Sequence, residues 1–169
     1  MRVDRSFAFI DLCGFTRFTD AHGDQQAVDV LTQFRAAVRE IASEHAVRVD
    51  KWLGDGVMLV STDDSRLVGA VLTLARQVEA NPGTLPLRVG LAAGQVILLE
   101  GDDYVGSAVN LAARLCAAAA PHELLAIPRL ADAVPEWAGA VSVGALDVPG
   151  FVQPIEVVRI QAAALSTPL

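Results

Sequence analysis

Basic residues are in short supply in this chain: 13 lysines and arginines stand against 20 aspartates and glutamates, a formal net charge of −7 at pH 7. That balance excludes a polyanion such as DNA as the main partner. It leaves room for a small phosphate ligand that arrives with its own metal ions. Cysteine is scarce as well. Cys13 and Cys116 are far apart and in no metal-like spacing, which fits reduced packing residues of a cytoplasmic protein without a disulfide. Asp4 and Arg5 interrupt any secretory leader at once, and every long apolar run is broken by Gly, Arg or Asp before it could cross a bilayer, so no membrane insertion is expected within this chain. Repeats and low-complexity linkers are also missing. The 169 residues therefore read as one domain over 1–161, with 162–169 as a disordered tail.

What is present is an alternation of strand-like and helical stretches. Phe7 to Leu12 reads as a short apolar strand. Ala27, Leu31, Phe34, Val38 and Ile41 then recur at three- and four-residue intervals, one core-facing stripe of a long helix. "VRVDKWLGDGVMLVS" places two β-type runs around Leu53-Gly54-Asp55-Gly56, a hairpin signal. A second helix follows, stopped by Asn81-Pro82-Gly83. "LRVGLAAG" and "QVILLEG" read as a second hairpin, and "GSAVNLAARLCAAAA" as a helix of small residues. Short strands near 124–127, 140–143 and 155–160 and a helical turn from Arg129 complete the chain. This order predicts an α+β fold, a ferredoxin-like βαββαβ core with helices on one sheet face and extra C-terminal strands with a short helix.

Three features carry chemistry. Asp11 falls inside "FAFIDLCGFTRFTD", where an ionised carboxylate costs several kcal/mol unless something compensates it. The strand end surfaces, or the acid pairs with a base, or it binds a divalent cation. Asp55, in the first hairpin turn, can meet Asp11 at a sheet edge; Asp is also simply favoured in turns. Asn110 and Arg114 leave one helix face, four residues apart, among Ala108, Ala112, Ala113 and Ala117. Asp102 and Asp103 stand just before that helix. The face is either a solvated polar stripe or a grip for a phosphate or carboxylate.

Taken together, "FAFIDLCGFTRFT", "VDKWLGDGVML", "LRVGLAAGQV" and "DDYVGSAVNLAARL" resemble, in order and approximate spacing, the catalytic domain of the class III nucleotidyl cyclases, from about Phe7 to Ile160. The resemblance implies that Asp11 and Asp55, with the Leu12 carbonyl, hold two Mg²⁺ or Mn²⁺ ions about 3.5–4 Å apart. It assigns Lys51 and Asp103 to reading adenine, which offers a ring-nitrogen acceptor and an amino donor. Members acting on GTP typically carry Glu and a small residue such as Cys there, so this chain resembles an adenylate cyclase. Asn110 would orient the ribose and Arg114 would stabilise charge on the α-phosphate. Arg88 would contact the outer phosphates, and Phe15 and Thr16 fall at substrate-binding positions. The partners implied are ATP and a second copy of the chain, a head-to-tail homodimer with two shared active sites.

Two departures accompany the resemblance. Many family members carry a Lys-Gly pair whose lysine reaches the triphosphate; this chain has Pro149 in that place, within "LDVPGFVQPIEVVRI". The connection "QVILLEGDDYVG" is also shorter than usual. A catalytically weak or inactive nucleotide-binding module is the alternative to an active enzyme. A polymerase-like palm enzyme would share the fold and paired acids without accounting for Lys51 and Asp103.

Overall fold

Residues 7–12 decide the layering of the molecule, because successive side chains of a strand point to opposite faces. In the computed structural model, which describes residues 1–101 and 103–163, strand β1 (Arg2–Leu12) sends Ala8, Ile10 and Leu12 into one buried cluster and Phe7 into another. The first cluster is filled by Phe34, Val38 and Ile41 of α2 (Asp24–Glu44) and by Leu67, Val71 and Leu74 of α3 (Asp64–Ala80). The second is filled by Leu111, Ala112 and Leu115 of α4 (Ser107–Ala118). The expectation of helices on a single face is thus corrected: α4 lies on the opposite side of the sheet from α2 and α3. The physical reason is β3 (Gly56–Ser61), whose six residues are all buried, so both faces of the sheet need covering.

The sheet order places β2 (Arg48–Leu53) beside β3, β3 beside β1, and β1 beside β4 (Leu87–Leu98), all antiparallel. This is the strand order of a ferredoxin-like core. Beyond β4 come β6 (Leu124–Ala126), parallel to it, then β8 (Ile155–Ala162) and β7 (Ala138–Leu146). A 3₁₀ turn, Pro128–Ala133, links β6 to β7. Its Arg129 clasps Asp4 and Asp64 together, with Nη2 to Asp4 Oδ2 at 2.7 Å and Nε to Asp64 Oδ2 at 2.9 Å. The guanidinium holds the Asp4 carboxyl below its ordinary range.

Several boundaries differ from the sequence expectation. β1 begins at Arg2, ahead of Phe7, because it pairs along its whole length with β4, from Arg2 opposite Ile97 to Leu12 opposite Leu87. For the same reason the hairpin expected over 87–101 does not form there. Residues 87–98 make one long strand that runs through Gly94-Gln95, and the chain turns later, into the two-residue β5 (Tyr104–Val105). An unforeseen helix, α1 (Phe15–His22), precedes α2 and is separated from it by Gly23, whose φ of 87° breaks the helical path. At the other end β8 reaches Ala162, and the Ala163 amide donates to Trp137 O at 2.8 Å. The remainder of the expected tail, 164–169, lies outside the described residues, as does Asp102.

Candidate active site

Side chains at odd positions of β1 and even positions of β4 face α4, and this parity gathers the polar groups. Asp11 stands opposite Gly56 on β3 and opposite Arg88 on β4. The Leu12 amide donates to Asp55 O at 3.1 Å, which seats the hairpin turn against the end of β1. Gly56 is required for that contact: a Cβ there would fall on Asp11 Oδ1 and on the Ile10 carbonyl. Asp11, Leu12, Asp55, Arg88, Phe15 and Thr16 all line one cavity of about 420 Å³. The two acids anticipated at one sheet edge therefore share a site.

Burial first, and the neighbouring Asp11 charge second, push the Asp55 carboxyl above its ordinary value. Two carboxylates facing one cavity, beside a backbone turn, are hard oxygen donors. They suit Mg²⁺ or Mn²⁺ better than a thiophilic ion. The only other charged group in the cavity wall is Arg88, whose Nη2 donates to Asp11 Oδ2 at 3.0 Å and whose Nη1 donates to Ala117 O at 3.3 Å. Burial works against the Arg88 charge, yet the hydrogen bond to Asp11 and the attraction of its carboxylate act together against that loss, and the guanidinium is held more firmly protonated. Cys13 lines the same cavity with its thiol pushed up by burial. Among the described residues no cluster of three or more His, Cys, Asp or Glu side chains is placed to hold a metal; the carboxylate oxygens this cavity offers a hard cation are those of the acid pair.

Arg35 was not anticipated. From α2 its Nη2 donates to Gly54 O at 3.2 Å, and its guanidinium lies 5.0 Å from the centre of the Trp52 ring, which Arg39 also covers at 4.9 Å. It braces the β2 side of the turn that presents Asp55. The sequence holds a trace of this, since Arg35 and Arg39 are four apart on the helix, but their partner is across space.

Lys51 and Asp103 come together although 52 residues separate them: Lys51 Nζ donates to Asp103 Oδ1 at 2.7 Å. The chain after β4 folds back over the α4 side of the sheet, where the Tyr104 ring meets Phe7 edge-on with centroids 5.4 Å apart. The bond to the carboxylate raises the Lys51 ammonium above its ordinary value.

Asn110 and Arg114 open elsewhere. They line a second cavity, of about 630 Å³, with Pro149, Gly150, Phe151 and Val152. Within one chain the acid pair and this helix face do not share a cavity. α4 is held to the sheet by Gly90, where a Cβ would overlap Ala112 O and the Cys116 amide. The alanines of this helix divide their work: Ala108 and Ala112 are buried against the sheet, while Ala113 and Ala117 border the cavity.

Comparison with known proteins gives a consistent family. The pattern of the adenylate and guanylate cyclase catalytic domain matches residues 4–133. A Mycobacterium tuberculosis protein, named as uncharacterized, is 44% identical over 153 residues, covering 90% of this chain and 40% of its own length. A Streptomyces coelicolor protein named adenylate cyclase is 35% identical over 126 residues, covering 73% of this chain and 32% of its own. The chain thus spans less than half the length of these relatives. Among solved structures, adenylate cyclases from Trypanosoma brucei in their monomeric state superpose with a TM-score of 0.87 at 16% identity, over 98% of this chain and 91% of theirs. The adenylyl cyclase CyaB from P. aeruginosa gives 0.76 at 23% identity, over 99% and 98%. At these identities the structural matches speak for the fold.

Proposed function

The chain belongs to the adenylate and guanylate cyclase catalytic-domain family, and from that premise we propose that it converts ATP to 3′,5′-cyclic AMP and pyrophosphate at two equivalent sites shared across a head-to-tail homodimer. The observation that carries this reading is the separation of the polar groups into two cavities of one protomer. Asp11 and Asp55 lie in one, Asn110 and Arg114 in the other. A two-fold axis that sets the first cavity of one protomer against the second of its partner completes both sites at once.

In this reading the ribose 3′-oxygen forms a bond to the α-phosphorus, the bond from that phosphorus to the bridging oxygen breaks, and pyrophosphate leaves with the electron pair. Bound divalent cations would offset charge on the triphosphate and ease loss of the 3′-hydroxyl proton. Asp11, Asp55 and the Leu12 carbonyl would hold those ions. Asn110 would orient the ribose. Arg114 would meet negative charge as it grows on the α-phosphate, a preorganised contact of the kind that is worth about 3 kcal/mol of barrier. Lys51 and Asp103 would read adenine. Arg88, Phe15 and Thr16 would border the outer phosphates.

The proposed compartment is the cytoplasm, where ATP is drawn and where two free cysteines stay reduced; among the described residues no helix is long and apolar enough to cross a membrane. One observation favours the alternative of a weak or inactive nucleotide-binding module. Pro149 borders the Asn110–Arg114 cavity and offers no cation to a triphosphate. Cyclisation of ATP with Mn²⁺, assayed across a range of protein concentrations, decides between them. An active enzyme of this design gains specific activity as dimers form. A protein that binds ATP and yields no cyclic AMP at the highest concentration is the module.

A further inference from the structure

We infer that Arg88 is a positioning residue that competes with the divalent cation for Asp11, so that loading of the cation is tied to arrival of the nucleotide. This rests on the reading of Asp11 and Asp55 as the cation ligands. The geometry behind it is specific. Asp11 and Arg88 are register partners on β1 and β4, so their side chains leave the same face of adjacent strands. The two oxygens of Asp11 are divided: Oδ1 lies over Gly56, beside the turn that carries Asp55, while Oδ2 accepts from Arg88 at 3.0 Å. With the guanidinium on Oδ2, one lone pair of Asp11 and much of its charge are already engaged. A cation drawn to both oxygens would compete with this bond for the same negative charge.

Arg88 is itself well seated. Its second nitrogen is held by Ala117 O, at the end of α4, and its side chain is 35% exposed, against 32% for Asp11. A half-buried, charge-assisted pair of this kind is stronger than a surface one. Asp11 is the carboxylate that Arg88 bonds, while Asp55, in the same cavity, feels the guanidinium only through space, and the nearby thiols of Cys13 and Cys116 are both pushed up by burial. A triphosphate would supply a stronger anion. Once the guanidinium turns to a phosphate, Asp11 Oδ2 is released to the cation. Each ligand then favours the other through a single side chain, and the coupling is reciprocal.

The test is Mn²⁺ binding to the whole chain, followed by electron paramagnetic resonance of the free ion, with and without a non-cyclisable ATP analogue. Wild-type protein is expected to bind Mn²⁺ at least tenfold more tightly when the analogue is present. Arg88→Gln should bind Mn²⁺ about fivefold to tenfold more tightly than wild type without nucleotide, and gain less from the analogue. Arg88→Lys, which keeps a charge but lacks the fork that also holds Ala117 O, should fall between, and it serves if the glutamine variant does not fold. Equal or weaker nucleotide-free affinity in the folded variants overturns the role of Arg88 and leaves the cyclase reading standing. Failure of the wild-type chain to bind Mn²⁺ under either condition overturns both.

Discussion

Lys51 and Asp103 form a 2.7 Å ion pair between β2 and the loop ahead of β5, elements that are not neighbours in the sheet. Both side chains are about half exposed, so the pair is worth at most about 1 kcal/mol and opens readily for a ligand. An ammonium and a carboxylate held side by side match the acceptor and donor on one edge of adenine. The double variant Lys51→Glu, Asp103→Cys is expected to lose at least tenfold in kcat/KM for ATP, with its unfolding temperature little changed. Steady-state assays with ATP and GTP check this; an unaltered ATP preference would remove the purine-reading role.

The two-cavity arrangement makes a mixing experiment informative. Asp11→Ala and Arg114→Ala should each fall at least a hundredfold in activity. Mixed in equal amounts, half of randomly formed dimers carry one chain of each kind, and each such dimer keeps one intact site of two. Activity should therefore return to about a quarter of wild type. No return on mixing would show that the sites are not shared.

Asp55 ties stability to pH. Its carboxyl is held above the ordinary 3.8 by burial and by Asp11. A group with a raised folded pKa binds its proton more tightly folded than unfolded. The stability it contributes is present below pH 3.8 and is lost as pH rises through the folded pKa. In chelator at pH 7, Asp55→Asn should thus have a higher Tm than wild type, and the gap should close as pH falls. Added Mn²⁺ should reverse the order by stabilising wild type alone. Differential scanning calorimetry over this pH range is the check.

Gly90 makes its own test of the α4 seat. A methyl group there meets helix backbone at Ala112, Leu115 and Cys116, none of which can swing aside. Gly90→Ala should cost about 2–3 kcal/mol in urea unfolding and should displace Arg114 enough to depress activity. Gly94→Ala, where the nearest contact is an ordinary 3.6 Å to the Ala108 methyl, is the control and should be near neutral.

Local signals were the readable part of the sequence. The Phe34–Val38–Ile41 stripe, the Gly54-Asp55-Gly56 turn and the Asn81-Pro82-Gly83 stop each produced an element close to its expected place. The meeting of Asp11 with Asp55 was also legible, since strand order alone brings them to one edge. What was hidden depends on partners far along the chain. Gly94-Gln95 looks like a turn until β1 is known to pair straight past it, and Asp4 and Arg5 look unlike strand until the same pairing is seen. The placement of α4 across the sheet follows from β3 being apolar at every position, which periodicity alone does not assign to a face. The hold of Arg35 on Gly54 and of Arg88 on Asp11 joins residues 19 and 77 apart, and no local pattern names either partner.

Burial leaves the protein with two very different thiols. Cys116 is buried and pushed up to about 12, so at neutral pH it should resist alkylating reagents. Cys13 is partly open on the wall of the acid-lined cavity and should react only slowly until the pH is raised. Mild alkaline treatment should therefore label Cys13 ahead of Cys116. A fluorophore attached there would sit beside Asp11 and Asp55 and should brighten or dim if a cation fills their cavity.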